Sequence, residues 1–236
     1  MIETVARAFD RAVDYDRHAG VQRQVAEALA VRIAEQKLPP RPRVLEIGCG
    51  TGFLGAALMP RLPGADWLMT DIAPAMIDRA AQRFAGIPGV RFALMDGEAP
   101  GVAGPFDLIC SSLAAQWFAD LDGALTRLAA LLAPGGLLAI ATLAEGSFAE
   151  WRAAHDAAGV TSGTPDYPAL DDPIEPIVVD HADAPAFLRA LKAIGAGTPR
   201  TGHRPLSPPQ LRAVMRHFET GGARVTYRIA YHLRRA

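Results

Sequence analysis

Cysteine is nearly absent from this sequence. Among 236 residues only Cys49 and Cys110 are cysteines, which excludes a disulfide framework and the paired spacing of a zinc cluster. Both thiols are expected to stay reduced, in a cytoplasmic protein. Long apolar runs are missing too. The longest, GLLAIATLA from Gly136 to Ala144, falls well short of the ~20 residues that cross a bilayer as a helix. The opening MIETVARAFDRA has no basic flank leading into an apolar core, so no secretory leader is expected. Net charge is only −1 at pH 7, which argues against a nucleic-acid binder. The six histidines are scattered. None is spaced for a metal, and no Ser-His-Asp or Cys-His arrangement points to nucleophilic catalysis. Lysine is scarce as well: 22 of the 24 basic residues are Arg. That bias reflects composition, because the two side chains do not replace each other so evenly for a physical reason.

What remains is ample for a core. Half of the residues are apolar, and the length suits one large or two small domains. Charge is unevenly spread. Residues 1–183 carry 14 basic and 24 acidic side chains, whereas residues 184–236 carry ten basic ones and a single acid, Glu219. Such asymmetry marks a surface for an anionic partner, or else helix faces that Arg simply solvates.

Apolar periodicity predicts a helix over Val21–Gln36, then strand and helix in alternation. Strands are predicted at RVLEIG, DWLMTDI, VRFALMD, FDLICSSL and, after a turn at Pro134-Gly135-Gly136, LLAIATL. Helices are predicted over Phe53–Leu62, Pro74–Phe84 and Leu121–Leu132. Near-continuous apolar strands alternating with helices predict an α/β fold, a parallel sheet wound on both faces by helices. After Leu143 the alternation breaks. Residues 159–173 read as a loop and IEPIVVD as a strand. Two helices follow, Ala184–Ile194 and one opened by Ser207 with its prolines, and ARVTYRIAYHL reads as a final strand.

The stretch VLEIGCGTGFLG places Gly48, Gly50 and Gly52 at the end of the first strand. Glycines there let a ligand approach the backbone. A dinucleotide fingerprint would need a third glycine at position 53, which is Phe53, and no Gly-Lys-Ser/Thr of a P-loop occurs. Asp71, about 20 residues on, ends the second strand and suits ribose hydroxyls. Asp96 ends the third and suits an adenine amino group. Ligands of open parallel sheets bind at those carboxyl ends.

As a set, VLEIGCGTG, MTDIAPAMI, ALMDGE and LLAPGGLLAI resemble the four motifs of class I S-adenosylmethionine-dependent methyltransferases, over Arg43–Leu143. The resemblance implies a Rossmann-like sheet of seven strands with the last antiparallel, S-adenosyl-L-methionine as cofactor and S-adenosyl-L-homocysteine as product. It implies that Gly48, Gly50 and Gly52 line the methionine and ribose, that Asp71 binds the ribose and that Met76 lies near the adenosine. Asp96 and Gly97 would hold adenine, with Glu46, Ile72 and Ser112 completing the cofactor set. One methyltransferase domain over residues 1–236 is expected: a helical cap to residue 40, a cofactor core over 41–143, and an acceptor region over 144–236.

Outside that core, HAGVQRQVAEAL, SSLAAQWFADLDGAL and FLRALKAIGA resemble the malonyl-acyl-carrier-protein O-methyltransferases of biotin synthesis. A carboxylate, with a pKa near 4, is already ionised at neutral pH and needs no general base. Telling a malonyl group from a neutral ester needs a cation, for which a guanidinium is well shaped. Arg204 is the first candidate and Arg200 the second; a solvated loop residue is the other reading for either. Gln116 and Trp117 are expected to wall the acceptor pocket, and Tyr15 to close over the cofactor. Core packing is the other reading for Trp117, and helix packing for Tyr15. His18 and His203 are open to substrate contact or to ordinary surface and core roles. An acyl carrier protein, being acidic, is expected to dock on Arg189, Lys192, Arg212 and Arg216, paired three or four residues apart on their helices. Other readings stay open: a methyltransferase for a small free acid, an arginine-hydroxylating relative in complex I assembly, and a cofactor-sensing scaffold.

Overall fold

The computed structural model describes residues 2–12, 15–200 and 202–236, so that Met1, Val13, Asp14 and Thr201 lie outside the described residues. The chain forms two compact units. One, here the glycine-turn unit, comprises Ala19–Thr142 and Ala230–Ala236; the other, the aromatic unit, comprises Met1–His18 and Leu143–Ile229.

The glycine-turn unit holds α3 (Gly20–Ala34), β1 (Arg43–Ile47), α4 (Phe53–Leu58), β2 (Asp66–Asp71), α5 (Pro74–Arg83), β3 (Val90–Leu94), β4 (Phe106–Ser112), α6 (Leu121–Ala129) and nearly all of β5 (Leu132–Leu143). β1 pairs in parallel with β2 and β4, β2 with β3, and β4 with β5. Residues of β1, β4 and β5 are buried on both faces, which is why these strands read as continuous apolar runs. Leu45, Ile47, Ile109, Leu138 and Ile140 pack into one cluster. Each such burial stabilises by ~1.5–3 kcal/mol.

Residues up to His18 belong to the aromatic unit, and α3 belongs to the glycine-turn unit. Val25, Ala26, Leu29, Ala30 and Ile33 form a fully buried stripe along α3, and that stripe packs on α4 and β4. Pro134–Gly136 also differs from the expected turn before the strand. It is a bulge within β5: the register passes from Phe106↔Leu132 directly to Leu108↔Leu137. Gly135 takes a positive φ of 75° there. The helix predicted to Leu62 closes at Leu58 and passes into a 3₁₀ turn over Met59–Arg61, where Pro60 cannot continue the amide ladder.

The aromatic unit holds α1 (Ile2–Asp10), α2 (Tyr15–His18), α7 (Ala149–Ala157), β6 (Ile174–Asp180), α8 (Ala184–Ala193), α9 (Pro208–Thr220) and the first half of β7 (Arg224–Arg235). Its core is a ring cluster. Trp151 meets Phe187 at 5.2 Å and Phe218 at 5.1 Å, and Phe148 meets Tyr227 at 4.8 Å. Asp183 caps α8 by accepting the Ala186 N–H, and Gln210 Oε1 accepts the Ser207 N–H at the start of α9.

The strand order is β3-β2-β1-β4-β5-β7-β6. Hydrogen bonds from the Ala236 amide to Gly136, from Ala144 to Arg228 and from Phe148 to Thr226 run in opposite chain directions, so β7 is antiparallel. β6 is an edge strand and tolerates Pro176 there. Chain order reverses at β1, which has β2 on one side and β4 on the other. An open sheet of this kind receives its ligand at such a reversal, beyond the strand carboxyl ends.

Candidate active site

The site is built on the turn between β1 and α4. Gly48, Gly50 and Gly52 all have positive φ, at 63°, 55° and 90°, a conformation that only glycine adopts freely. Close packing adds a second demand. A Cβ on Gly48 would stand 2.3 Å from the Ala114 Cβ, and one on Gly52 would stand 2.4 Å from Phe84. Phe53, the residue that breaks the dinucleotide spacing, lies under the guanidinium groups of Arg23 and Arg83, each 4.9 Å from its ring.

Asp71 ties this turn to the next strand end. Its Oδ2 accepts the Gly50 N–H at 2.8 Å, and its Oδ1 accepts the Ala73 N–H at 2.9 Å. Ile72 is half-buried beside it. Met76 is fully buried on α5.

Glu46 lies beneath the glycine turn. Its side chain is 1% exposed, and Oε2 has no hydrogen-bond partner among the described residues. Burial pushes its pKa up to about 8; the Gly55 backbone amide opposes this and Asp71 adds repulsion. A buried acceptor without a donor carries a desolvation cost, and an arriving cationic donor relieves it. Cys49 and Cys110 are free buried thiols, both pushed up chiefly by burial and secondarily by Glu46.

Asp96 stands two residues past the end of β3, in the loop, and not on the strand as expected. The ladder closes at Met95, whose N–H donates to the Asp71 carbonyl at 3.0 Å. Asp96 Oδ1 accepts the Glu98 N–H at 2.9 Å. Gly97 is confined: a Cβ would stand 2.5 Å from Ile47 and 2.8 Å from Phe118. Ser112 ends β4, half-buried and in register with Ala141.

After Ser112 the chain turns through Leu113, at φ 54°, whose N–H donates to Ala141 at 2.8 Å. Gln116 holds this strained turn, donating from Nε2 to the Leu113 carbonyl at 2.7 Å and accepting from Thr142 Oγ1 at 3.3 Å. Trp117 follows, half-buried, in the 3₁₀ turn Ala115–Trp117. The next turn rests on Glu98, a residue absent from the sequence-derived set. Its Oε1 accepts the Ala119 and Asp120 amides at 3.0 and 2.9 Å, while Arg127 Nε donates to its carbonyl at 2.6 Å. The acidic residue in ALMDGE was a visible signal; its partners more than 20 residues away were not.

The structure therefore gathers Glu46, Gly48, Gly50, Gly52, Asp71, Asp96, Gly97, Gln116 and Trp117 within the glycine-turn unit, at the strand carboxyl ends. Tyr15, Arg200 and Arg204 belong to the aromatic unit. Tyr15 packs 6.4 Å from Phe9. Arg204 is exposed in a loop and makes no hydrogen bond or ion pair among the described residues, whereas Arg200 pairs with Asp166 at 3.6 Å. His18 is exposed at the end of α2, and His203 packs on Gly163, where a Cβ would stand 2.8 Å from its ring. Arg189, Lys192, Arg212 and Arg216 are exposed on α8 and α9, which pack together through Phe187 and Phe218. Glu219, the single acid of that segment, is occupied in accepting the Ala184 N–H at 3.0 Å.

Known proteins bear on these two units differently. The family described as "Methyltransferase domain" matches residues 45–138, the glycine-turn unit alone. A malonyl-[acyl-carrier protein] O-methyltransferase of Magnetococcus marinus is 44% identical over 243 residues, covering 96% of this chain and 90% of that protein. The biotin biosynthesis bifunctional protein BioCD of Bordetella avium is 52% identical over 240 residues, 97% of this chain. The chain spans about half of that bifunctional protein, 51% of its length. Among solved structures, the YcgJ protein of Bacillus subtilis shares the fold at a TM-score of 0.61 and 16% identity, over 88% of this chain and 96% of that one.

Proposed function

The chain belongs to the malonyl-[acyl-carrier protein] O-methyltransferase family, and from that premise we propose its reaction. It transfers a methyl group from S-adenosylmethionine to the free carboxylate of a malonyl thioester on acyl carrier protein, giving the methyl ester, as a step of biotin synthesis. The observation that carries this reading is the reach of the relationship: 44% identity continues over 96% of the chain, through the aromatic unit as well as the glycine turn.

The residues present fit the cofactor. Three left-handed glycines shape the turn at the strand end, and Gly48 and Gly52 have no room for a side chain against Ala114 and Phe84. Gly48, Gly50 and Gly52 would hold the methionine and ribose, with Ser112 at the neighbouring strand end. Asp71 and Ile72 would take the ribose, and Asp96 and Gly97 the adenine. Glu46, with its unpartnered Oε2, would receive the ammonium. When bound, S-adenosylmethionine supplies an electrophilic methyl on a sulfonium and leaves as S-adenosylhomocysteine.

The protein's own task is then positioning. A carboxylate acceptor is anionic at neutral pH, so no residue has to remove a proton. Alignment and exclusion of water supply the acceleration. Gln116 and Trp117 fit a wall of the acceptor pocket, because Gln116 fixes the Leu113 turn that carries both. Tyr15 and Arg204 are acceptor-side candidates on the aromatic unit. The exposed cations Arg189, Lys192, Arg212 and Arg216 suit docking of an acidic carrier protein, although Arg189 also lies 3.8 Å from Asp183. The two buried free thiols suit a reducing, cytoplasmic setting.

The test is transfer of a labelled methyl group to malonyl-acyl carrier protein, malonyl-CoA and free malonate. Transfer to the malonyl thioesters, with the carrier protein preferred, is expected. Transfer to free malonate alone, or none to any of the three, would overturn the proposal.

A further inference from the structure

The aromatic unit contains an ion cluster that the sequence pattern does not announce. Arg152, on α7, and Arg200, beyond α8, converge on one carboxylate. Arg152 Nη1 lies 3.4 Å from Asp166 Oδ1, and Arg200 Nη1 lies 3.6 Å from Asp166 Oδ2. The Arg152 and Arg200 side chains are 29% and 39% exposed, whereas that of Asp166 is 77% exposed. Two cations therefore share one anion, and the anion is the most exposed member. Asp166 sits in residues 159–173, most of which have no regular secondary structure.

Further contacts surround the pair. Arg152 also donates to the Pro165 carbonyl. The Arg200 N–H donates to Gly163 at 2.9 Å, and the His203 ring presses on the same glycine. His155 is buried on α7, donating from Nδ1 to the Trp151 carbonyl at 2.8 Å. Burial lowers its pKa first, with His203 and Arg152 acting the same way, while the hydrogen bond to the Trp151 carbonyl and Asp156 oppose them. Tyr167 follows Asp166 and stacks 6.0 Å from Phe148, which anchors the loop independently of the ion pairs.

We propose that Arg152 and Arg200 form the binding site for the acceptor's carboxylate, and that Asp166 occupies it in the free protein until the acceptor displaces it. The inference rests on the malonyl-thioester reading and deepens it by naming the specificity-determining pair. The chemistry is that of a carboxylate replacing a carboxylate. Two guanidiniums suit a planar oxyanion, and both Asp166 contacts, exposed and longer than ideal, are weak enough to exchange.

The sign of the Asp166→Asn effect separates this role from a structural one. Free malonate is the probe, titrated by calorimetry into the full chain saturated with S-adenosylhomocysteine. Asp166→Asn removes the competing charge, so malonate should bind about fivefold tighter, the scale of two exposed ion pairs lost. Arg152→Gln should weaken malonate by about tenfold, and Arg152→Lys, which keeps the charge but loses the fork, should fall between. S-adenosylhomocysteine affinity should stay unchanged in Asp166→Asn, and the ligand-free melting temperature should fall only by the same small loss, about 2–4 °C. Unchanged or weaker malonate binding in Asp166→Asn overturns the proposal and makes Asp166 a loop latch. Tightening of inorganic phosphate with no effect on malonate also overturns it. Methyl transfer to malonyl-acyl carrier protein by the unaltered chain reports separately on the parent reading, so either can fail alone.

Discussion

Glu46 offers the most demanding test of the cofactor site. Its carboxyl is buried without a partner on Oε2, and its pKa is pushed up to about 8. At pH 6 the free protein therefore carries a neutral carboxyl there. If the ligand's ammonium is received by Glu46, the carboxyl must ionise on binding and release its proton. From a pKa of about 8, the ionised fraction is ~1% at pH 6 and ~9% at pH 7. Affinity for S-adenosylhomocysteine should consequently rise about ninefold over that unit, or ~1.3 kcal/mol. The ligand's amino group stays largely protonated over the same range. Calorimetry at pH 6 and pH 7, in buffers of different ionisation enthalpy, measures both the affinity and the released proton, expected to be close to one. Glu46→Gln should bind more weakly, with neither pH dependence nor proton release. A wild-type affinity that is flat from pH 6 to 7, with no proton released, would refute the assignment. The same shift acts on stability with a definite sign. The folded state keeps a proton that the unfolded chain loses between the model-compound value of 4.5 and about 8. Stability of the ligand-free protein should fall as pH rises through that window, by up to ~1.4 kcal/mol per unit, and Glu46→Gln should remove this slope.

Three further outcomes follow from contacts already described. Gly97→Ala should destabilise by ~1–3 kcal/mol, because its Cβ meets Ile47 and Phe118 in a packed core; a melting temperature equal to wild type would show that the core yields freely. Asp71→Ala strands the Gly50 and Ala73 amides, so it should cost ~1–3 kcal/mol of stability by denaturant titration and weaken S-adenosylhomocysteine binding. An unchanged ligand affinity would make Asp71 purely structural. Charge reversal at Arg212 and Arg216 should raise KM for malonyl-acyl carrier protein in a salt-sensitive way and leave malonyl-CoA little affected. Equal loss with both substrates would place those arginines in the pocket or the fold.

Much of the glycine-turn unit was legible in the sequence because its signals are local. Alternate glycines announce a backbone that must turn through positive φ, and apolar runs announce strands buried on both faces. The roles that escaped are made by distant closure. Glu98 is an ordinary acid until Ala119 and Asp120 bring their amides to it. Helix α7 lacks a polar cap: Phe148 stands at its start, at φ 59°, with its N–H donated to Thr226. Consequently neither Arg152 nor its convergence with Arg200 on Asp166 was visible. The bulge at Pro134–Gly136 has the sequence signature of a turn, because proline and glycines punctuate both alike.

The two-oxygen grip of Asp71 on Gly50 and Ala73 also bears on how fast a ligand is captured. A glycine turn left free would sample many conformations, and each encounter would have to wait for the competent one. Here the carboxylate orders the turn when the protein folds, so that arrival requires no reordering of this turn. Association should then proceed at a rate set by diffusion and access. Differences among cofactor analogues should appear almost entirely as differences in residence time.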